Sequence, residues 1–175
     1  KKKKKIISFV GKLNTSKGYD SFGKAILKIL NEYPEWYSIV IGDERREKHV
    51  FKHKRLKILG FRSNKFILNK LKDVSISVVP SKWDEPFGRS SLEASSRGCA
   101  VIISNKGGLP ETITDGIILN ELSSNNVYKE IKNLILNKKK RIKIQTNSLK
   151  NFYLDHKYIS KKIDTYRVSF FEKIV

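Results

Sequence analysis

The chain has 175 residues, 39% hydrophobic and 10% aromatic, a balance that excludes disorder and suits one domain, or one lobe of a larger protein, with a proper core. A single cysteine, Cys99, excludes a disulfide framework and fits a reducing cytoplasm, and no apolar run reaches bilayer-spanning length. The 37 Lys and Arg against 17 Asp and Glu leave +20, a charge that attracts nucleic acid, anionic lipid or phosphorylated substrates, or simply coats a lysine-rich surface.

Five lysines open the chain and pass directly into a β-rich run, Ile6 to Val10, so a secretory signal is not expected. Gly11 ends that strand. Residues 19–32 carry Phe22, Ala25, Ile26, Ile29 and Leu30 on one helical face, and Pro34 closes the helix. A second strand, residues 37–41, ends at Gly42, and a short helical piece is expected before a third strand at residues 56–59. A short helix at residues 66–71 precedes a strand at 74–79 that Pro80 stops. A helix over residues 92–97, starting near Phe87, leads to strands at 100–103 and 117–119. From Ser123 the periodicity is helical, broken at residues 137–140 and 151–156, with a terminal amphipathic helix over 152–175 bearing Tyr158, Ile159, Ile163, Tyr166 and Phe170. Strands that are apolar throughout and separated by helices predict an α/β, Rossmann-like parallel sheet covered on both faces. In such sheets ligands bind beyond the carboxyl ends of the strands, where this chain places Gly, Pro and Asp.

Residues 80–111, PSKWDEPFGRSSLEASSRGCAVIISNKGGLPE, begin where a buried strand stops, run through a loop and enter a helix. The free N–H groups of a helix start suit a phosphate, and Gly88 would let the backbone approach a ligand. Glu85 and Glu93 flank this turn. Eight helical positions would separate them by about 12 Å, wider than the roughly 5–9.5 Å of a glycosidase pair. With Glu85 in the loop and Glu93 one to two turns into the helix, they would hold opposite ends of an extended ligand. On these residues alone, a capping Glu85 and a solvated Glu93 are equally compatible.

Glu85-Pro86-Phe87-Gly88, Leu92-Glu93-Ala94, Gly98, Val101-Ile102 and Gly107-Gly108 through Glu111 follow in an order and spacing that resembles the retaining glycosyltransferases of family 4, whose E-x7-E lies in E-P-F-G and L-E-A and is followed by G-G-x-x-E. The resemblance runs from Ile6 to the end and implies the C-terminal, donor-binding lobe of a GT-B fold. The N-terminal acceptor lobe would lie outside this chain, and the isolated lobe would be inactive. The resemblance implies that Glu93 holds the ribose of a nucleoside diphosphate sugar and Glu85 the sugar hydroxyls. Pro86, Phe87, Gly88 and Arg89 would line the sugar and phosphate pocket. Gly11, Lys12 and Lys17-Gly18 stand where the family usually has G-R and K-G, with both cations on the diphosphate. Lys12 keeps the charge of that arginine and loses its bidentate fork. The base would sit near Phe61 and Arg62. Arg89-Ser90 and Ala100 depart from the usual apolar pair and proline.

The implied reaction transfers a hexose-like sugar with retention, catalysed by Glu85, Lys17 and Lys12, in polysaccharide, lipopolysaccharide or glycolipid synthesis. No D-x-D motif is present, so no metal or cofactor is expected. His49 and His53, four apart, lack the zincin glutamate and a third ligand. The basic surface would dock on anionic membrane from the cytoplasmic side. A nucleic-acid module would interleave aromatic with basic residues on one face, whereas most aromatics here stand at helical core spacings. A donor-binding but inactive lobe is the remaining alternative.

Overall fold

The computed structural model describes residues 3–171. Six strands form one parallel sheet: β1 (Lys4–Val10), β2 (Tyr37–Ile41), β3 (Leu56–Ile58), β4 (Val74–Val79), β5 (Ala100–Ser104) and β6 (Ile117–Leu119). Their spatial order is β3-β2-β1-β4-β5-β6, with every neighbouring pair parallel. The helices are α1 (Tyr19–Glu32), α2 (Asn64–Leu71), α3 (Arg89–Ser96), α4 (Ser124–Leu136), α5 (Lys138–Lys150) and α6 (His156–Phe171), with a 3-10 turn at Leu109–Thr112.

Because successive strand residues point to opposite faces, an apolar strand feeds two cores at once. Ala100 and Ile102 of β5 join Ile7, Phe9, Ile76 and Val78 under α1 and α4, whose apolar stripes supply Phe22, Ile26, Ile29, Val127 and Ile131. Val101 and Ile103 point the other way, to Leu71, Val79 and Ala94 under α2 and α3. On that second face Ser8 Oγ donates to Ser77 Oγ at 3.1 Å between the two central strands. Trp36 is buried beneath Arg141, whose guanidinium lies 5.1 Å from the ring centroid while its Nη1 donates to the carbonyls of Leu134 and Ile135. Arg141 thereby satisfies carbonyls that the end of α4 leaves free.

The expected helical piece after β2 is absent: the chain between Ile41 and Leu56 contains no helix. Glu44 explains part of this. Its carboxylate accepts the N–H groups of Arg45 and Arg46, both at 3.0 Å, so that the backbone needs no helical partner there. Phe51 and His49 then lay their rings against Tyr19 of α1, at centroid distances of 5.5 and 6.3 Å. His49 and His53 therefore do not share a helix face. His49 meets Thr15 and Glu47, and His53 Nδ1 accepts the Arg55 N–H. The helix expected near Phe87 begins at Arg89, and the break expected at residues 137–140 contracts to Asn137, which caps α5 by accepting the Lys140 N–H. Residues 172–175 of the predicted terminal helix lie outside the described residues. Within them α6 leaves Tyr166, Phe170 and Phe171 exposed.

Cys99 is fully buried at the start of β5, and burial pushes its thiol up to about 11. Its expected reaction with a thiol reagent at pH 8 is negligible in the folded chain and rapid and stoichiometric in guanidinium. Fast labelling of the folded chain would place this residue outside the core.

Candidate functional site

The sheet winds one way from β1 to β2 and β3 and the other way from β4 to β5 and β6. The loops leaving β1 and β4 therefore diverge, and a crevice opens between them at their carboxyl ends. A cleft of about 290 Å³ occupies that place. Phe9, Val10 and Gly11 form its floor from β1, Val79 and Ser81 from β4, and Ile67 closes it from α2. Four charged side chains line it: Lys17, Glu85, Arg89 and Glu93. Two are cationic and two anionic, so the cleft is formally neutral in a chain of +20.

Lys17 and Glu85 come from loops 68 residues apart and meet at 2.6 Å, Nζ to Oε1. Their side chains keep 30% and 13% of their exposure, so the pair is partly withdrawn from water while its outer side faces the cleft. Glu93 lies one turn into α3. Its Oε1 accepts Asn64 Nδ2 at 2.6 Å and Arg89 Nε at 3.1 Å. Both carboxylates are thus held by hydrogen bonds to charged or amide donors, with Glu85 in the loop and Glu93 in the helix, as expected.

What fixes Lys17 is the buried Asn14. Its side-chain oxygen accepts the Lys17 N–H at 3.1 Å and the Ser16 hydroxyl at 3.0 Å, while its amide donates to Glu44 Oε2 at 3.1 Å. The Ser16 carbonyl in turn accepts the N–H groups of Lys82 and Trp83, at 2.8 and 3.1 Å, which ties the loop after β1 to the loop after β4. Gly18, at φ +71°, lets α1 start directly against the Pro80 carbonyl, where a Cβ would overlap.

Glu85 is fixed from behind. Gly108 N–H donates to the Glu85 carbonyl at 2.7 Å, and Gly107, at φ +52°, packs so closely on the Glu85 backbone that a Cβ would collide with it. The G-G pair therefore works as a rest for the glutamate loop. Gly88 is buried against Leu109 and starts α3, while Pro86 and Phe87 are exposed and lie outside the cleft lining. Lys12 is exposed and also outside the lining, as are Phe61 and Arg62 beyond β3, where the Arg62 guanidinium rests 5.5 Å from the Phe66 ring centroid. Among the described residues no three His, Cys, Asp or Glu side chains form a group able to hold a metal ion.

Asn14, Asn64 and Ile67 were not singled out by sequence, and Ser90 was noted only as a departure from an apolar residue. Asn14 carried a usable signal, since Asn before a helix start commonly bonds the backbone two or three residues on. Asn64 and Ile67 carried none, because α2 reaches Glu93 only through the packing of α2 beside α3.

An α/β lobe with a cleft at its switch point, lined by paired charges and fed by loops after β1 and β4, defines a class of ligand-binding domain. The model of the family described as glycosyl transferases group 1 matches residues 1–151, and the chain belongs to that family. It is 31% identical over 158 residues to spore coat protein SA of Bacillus subtilis (strain 168), covering 79% of this chain and 41% of that protein. It is 30% identical over 122 residues to the lipopolysaccharide core biosynthesis mannosyltransferase LpcC of Rhizobium leguminosarum bv. viciae, covering 63% and 34%. The C-terminal domain of LpcC, a glycosyl transferase group 1 family protein from Francisella tularensis, superposes with a TM-score of 0.73 at 29% identity over 83% of this chain and 82% of that one. Anabaena HepE in complex with UDP shares the fold, with a TM-score of 0.81 at 21% identity over 95% and 49%. The chain spans well under half the length of the curated relatives it matches.

Two outcomes test the supports of the site. Gly107→Ala should cost about 1–3 kcal/mol in urea unfolding, from the left-handed backbone and the collision with Glu85. Unchanged stability would remove the rest from the account. Hydrogen bonds, led by the Arg46 N–H, hold the Glu44 carboxyl down at about 2 against an ordinary 4.5. Between those values the unfolded chain binds the proton and the folded chain does not. The contribution is therefore complete above about pH 4.5 and lost as pH falls through 2. Glu44→Gln should flatten that part of the stability-pH curve, and an unaltered curve would show that Glu44 is not so held.

Proposed function

We propose that this chain is the donor-binding lobe of a glycosyltransferase that uses a nucleoside diphosphate sugar and retains the anomeric configuration. The observation that carries the reading is the Lys17–Glu85 pair facing Glu93 across one cleft at the carboxyl ends of β1 and β4. A nucleotide sugar offers ribose hydroxyls, a diphosphate and sugar hydroxyls in line. Glu93 accepts from the ribose diol, and Lys17 turns to the diphosphate. Glu85, relieved of Lys17, accepts from the sugar hydroxyls.

In the reaction the bond between the anomeric carbon and the diphosphate oxygen breaks, and the acceptor oxygen bonds to that carbon on the same face. The acceptor proton leaves on the diphosphate. Negative charge grows on the departing oxygen, so the Lys17 ammonium favours the transition state over the ground state. The free N–H groups at the start of α3, beside Ser90 in the cleft lining, add to the same field. Lys12 is exposed on the loop after Gly11, from where a flexible stem would bring its ammonium to the diphosphate. Phe61 and Arg62 would meet the base by a similar rearrangement. Charge neutralisation by lysine removes the need for a metal ion.

The acceptor, a hexose-like donor sugar and the second lobe complete the proposal, with cell-envelope polysaccharide or lipopolysaccharide as the product class. The lipopolysaccharide core biosynthesis mannosyltransferase of Rhizobium leguminosarum supports that class. No helix of the described residues is long and apolar enough to cross a membrane. The charge of +20 supports the proposal that a lipid-linked acceptor is met at an anionic membrane surface.

Calorimetry with UDP, GDP, ADP and their sugar conjugates, with and without EDTA, tests the reading. One nucleotide sugar should bind, indifferent to EDTA, and Glu93→Ala should weaken it about 10- to 100-fold, the worth of a hydrogen bond to a charged group. A folded chain that binds none of them, or binds equally well without Glu93, overturns it.

A further inference from the structure

A second and larger cavity, about 740 Å³, lies at the opposite edge of the sheet. It is bounded by the start of β1, by Ser75 at the start of β4, by Gly98 ahead of β5, and by α5. Six residue steps of β1, at about 3.3 Å each, put it about 20 Å from the donor cleft. Its charge is unlike that of the cleft. Lys3, Lys5, Arg97, Lys138, Arg141 and Lys150 line it, against Glu35 as its one carboxylate. Glu35 pairs with Lys5, at 3.4 Å.

Two of the six cations are committed to the fold. Arg141 is spent on the carbonyls that end α4, and Lys3 Nζ donates to the carbonyls of Leu71 and Arg97. Burial holds the Lys3 pKa below the ordinary lysine value, against the opposing pull of Cys99 and Asp73. Arg97 Nε is buried with no hydrogen-bond partner among the described residues. Lys138 and Lys150 stand at the two ends of α5, a helix with no acidic residue. Ile142 and Leu149, exposed on the same helix, give the cavity an apolar wall. Like charges gathered around a recess, with Arg97, Lys138 and Lys150 on its lining, make a site that an anion of high charge density completes.

We propose that this cavity binds a phosphate-bearing anion, and that the bound group is a diphosphate or phosphodiester held by Arg97, Lys138 and Lys150, with its apolar portion along Ile142 and Leu149. The site is separate from the donor cleft and does not rest on the assignment of that cleft. A ligand here would bind while the donor cleft is empty or full, since the two open on opposite edges of one rigid sheet.

The test is an NMR titration of the 175-residue chain with inorganic pyrophosphate at 0.15 M salt, in parallel with co-sedimentation on vesicles of phosphatidylglycerol and of phosphatidylcholine. Amides of Gly98, Gln145, Thr146 and Leu149 should shift, and should still shift in Lys17→Ala, which disables the donor cleft. Lys138→Glu together with Lys150→Glu should weaken the interaction about tenfold or more, whereas the same charge change at Lys24→Glu with Lys57→Glu, remote from the cavity, should alter it less than about twofold. Pyrophosphate binding identifies a soluble phosphate ligand. Sedimentation with phosphatidylglycerol alone, abolished by the cavity variants, identifies a lipid headgroup. Equal weakening by both pairs of reversals would reduce the effect to net charge and overturn the proposal. So would shifts confined to Gly11, Lys17 and Ser90, or no interaction with either probe.

Discussion

Everything at the site depends on the point where β1 and β4 lie side by side while their following loops turn away from each other. Parallel pairing obliges each strand to be followed by a crossover, and the change of winding direction between these two strands leaves their carboxyl ends uncovered. Two short tethers then bring the parted loops back into register. Ser16 accepts the N–H groups of Lys82 and Trp83, and Lys82 Nζ reaches Asp20 at 2.7 Å. These tethers bring together the loops that carry Lys17 and Glu85, whose side chains meet at 2.6 Å.

Rigidity beneath the cleft comes from the two cores. Phe9 is in the floor of the cleft and also in ring contact with Tyr19 and Phe22, at 5.2 and 5.3 Å, so the floor is continuous with the packing of α1. The chain from Asp43 to Arg55, irregular as it is, completes this arrangement. Phe51 covers α1 at Gly23, where any side chain would overlap its ring, and Glu44 reaches Asn14. A segment with no regular structure thus holds the residue that holds Lys17.

Most strands and helices were legible in the sequence, because doubly buried strands are apolar without interruption and α1 has a clean helical stripe. The charged residues of the cleft were legible only through motif spacing. Neither composition nor periodicity says that Lys17 and Glu85 meet. The loop after β2 misled because its charges and histidines recur at helical intervals, whereas ring stacking on Tyr19 and the Glu44 carboxylate supply what a helix would have supplied. Asn64 was illegible for a different reason: its role depends on α2 and α3 being neighbours, a fact of tertiary packing alone. The placement of Lys12, Phe61 and Arg62 outside the cleft lining likewise follows from where the loops after β1 and β3 end in space, which spacing does not encode.

The ion pair inside the cleft has a consequence for ligand choice. An empty site whose lysine and glutamate already satisfy each other is indifferent to a visitor that addresses only one of them. Free phosphate takes the ammonium and strands a carboxylate at 13% exposure; a neutral sugar takes the carboxylate and strands the ammonium. Only a molecule carrying both functions, at the right separation, replaces the contact without leaving a half behind. The pair therefore acts as a coincidence detector for a ligand that carries an anionic group and a hydrogen-bond donor together.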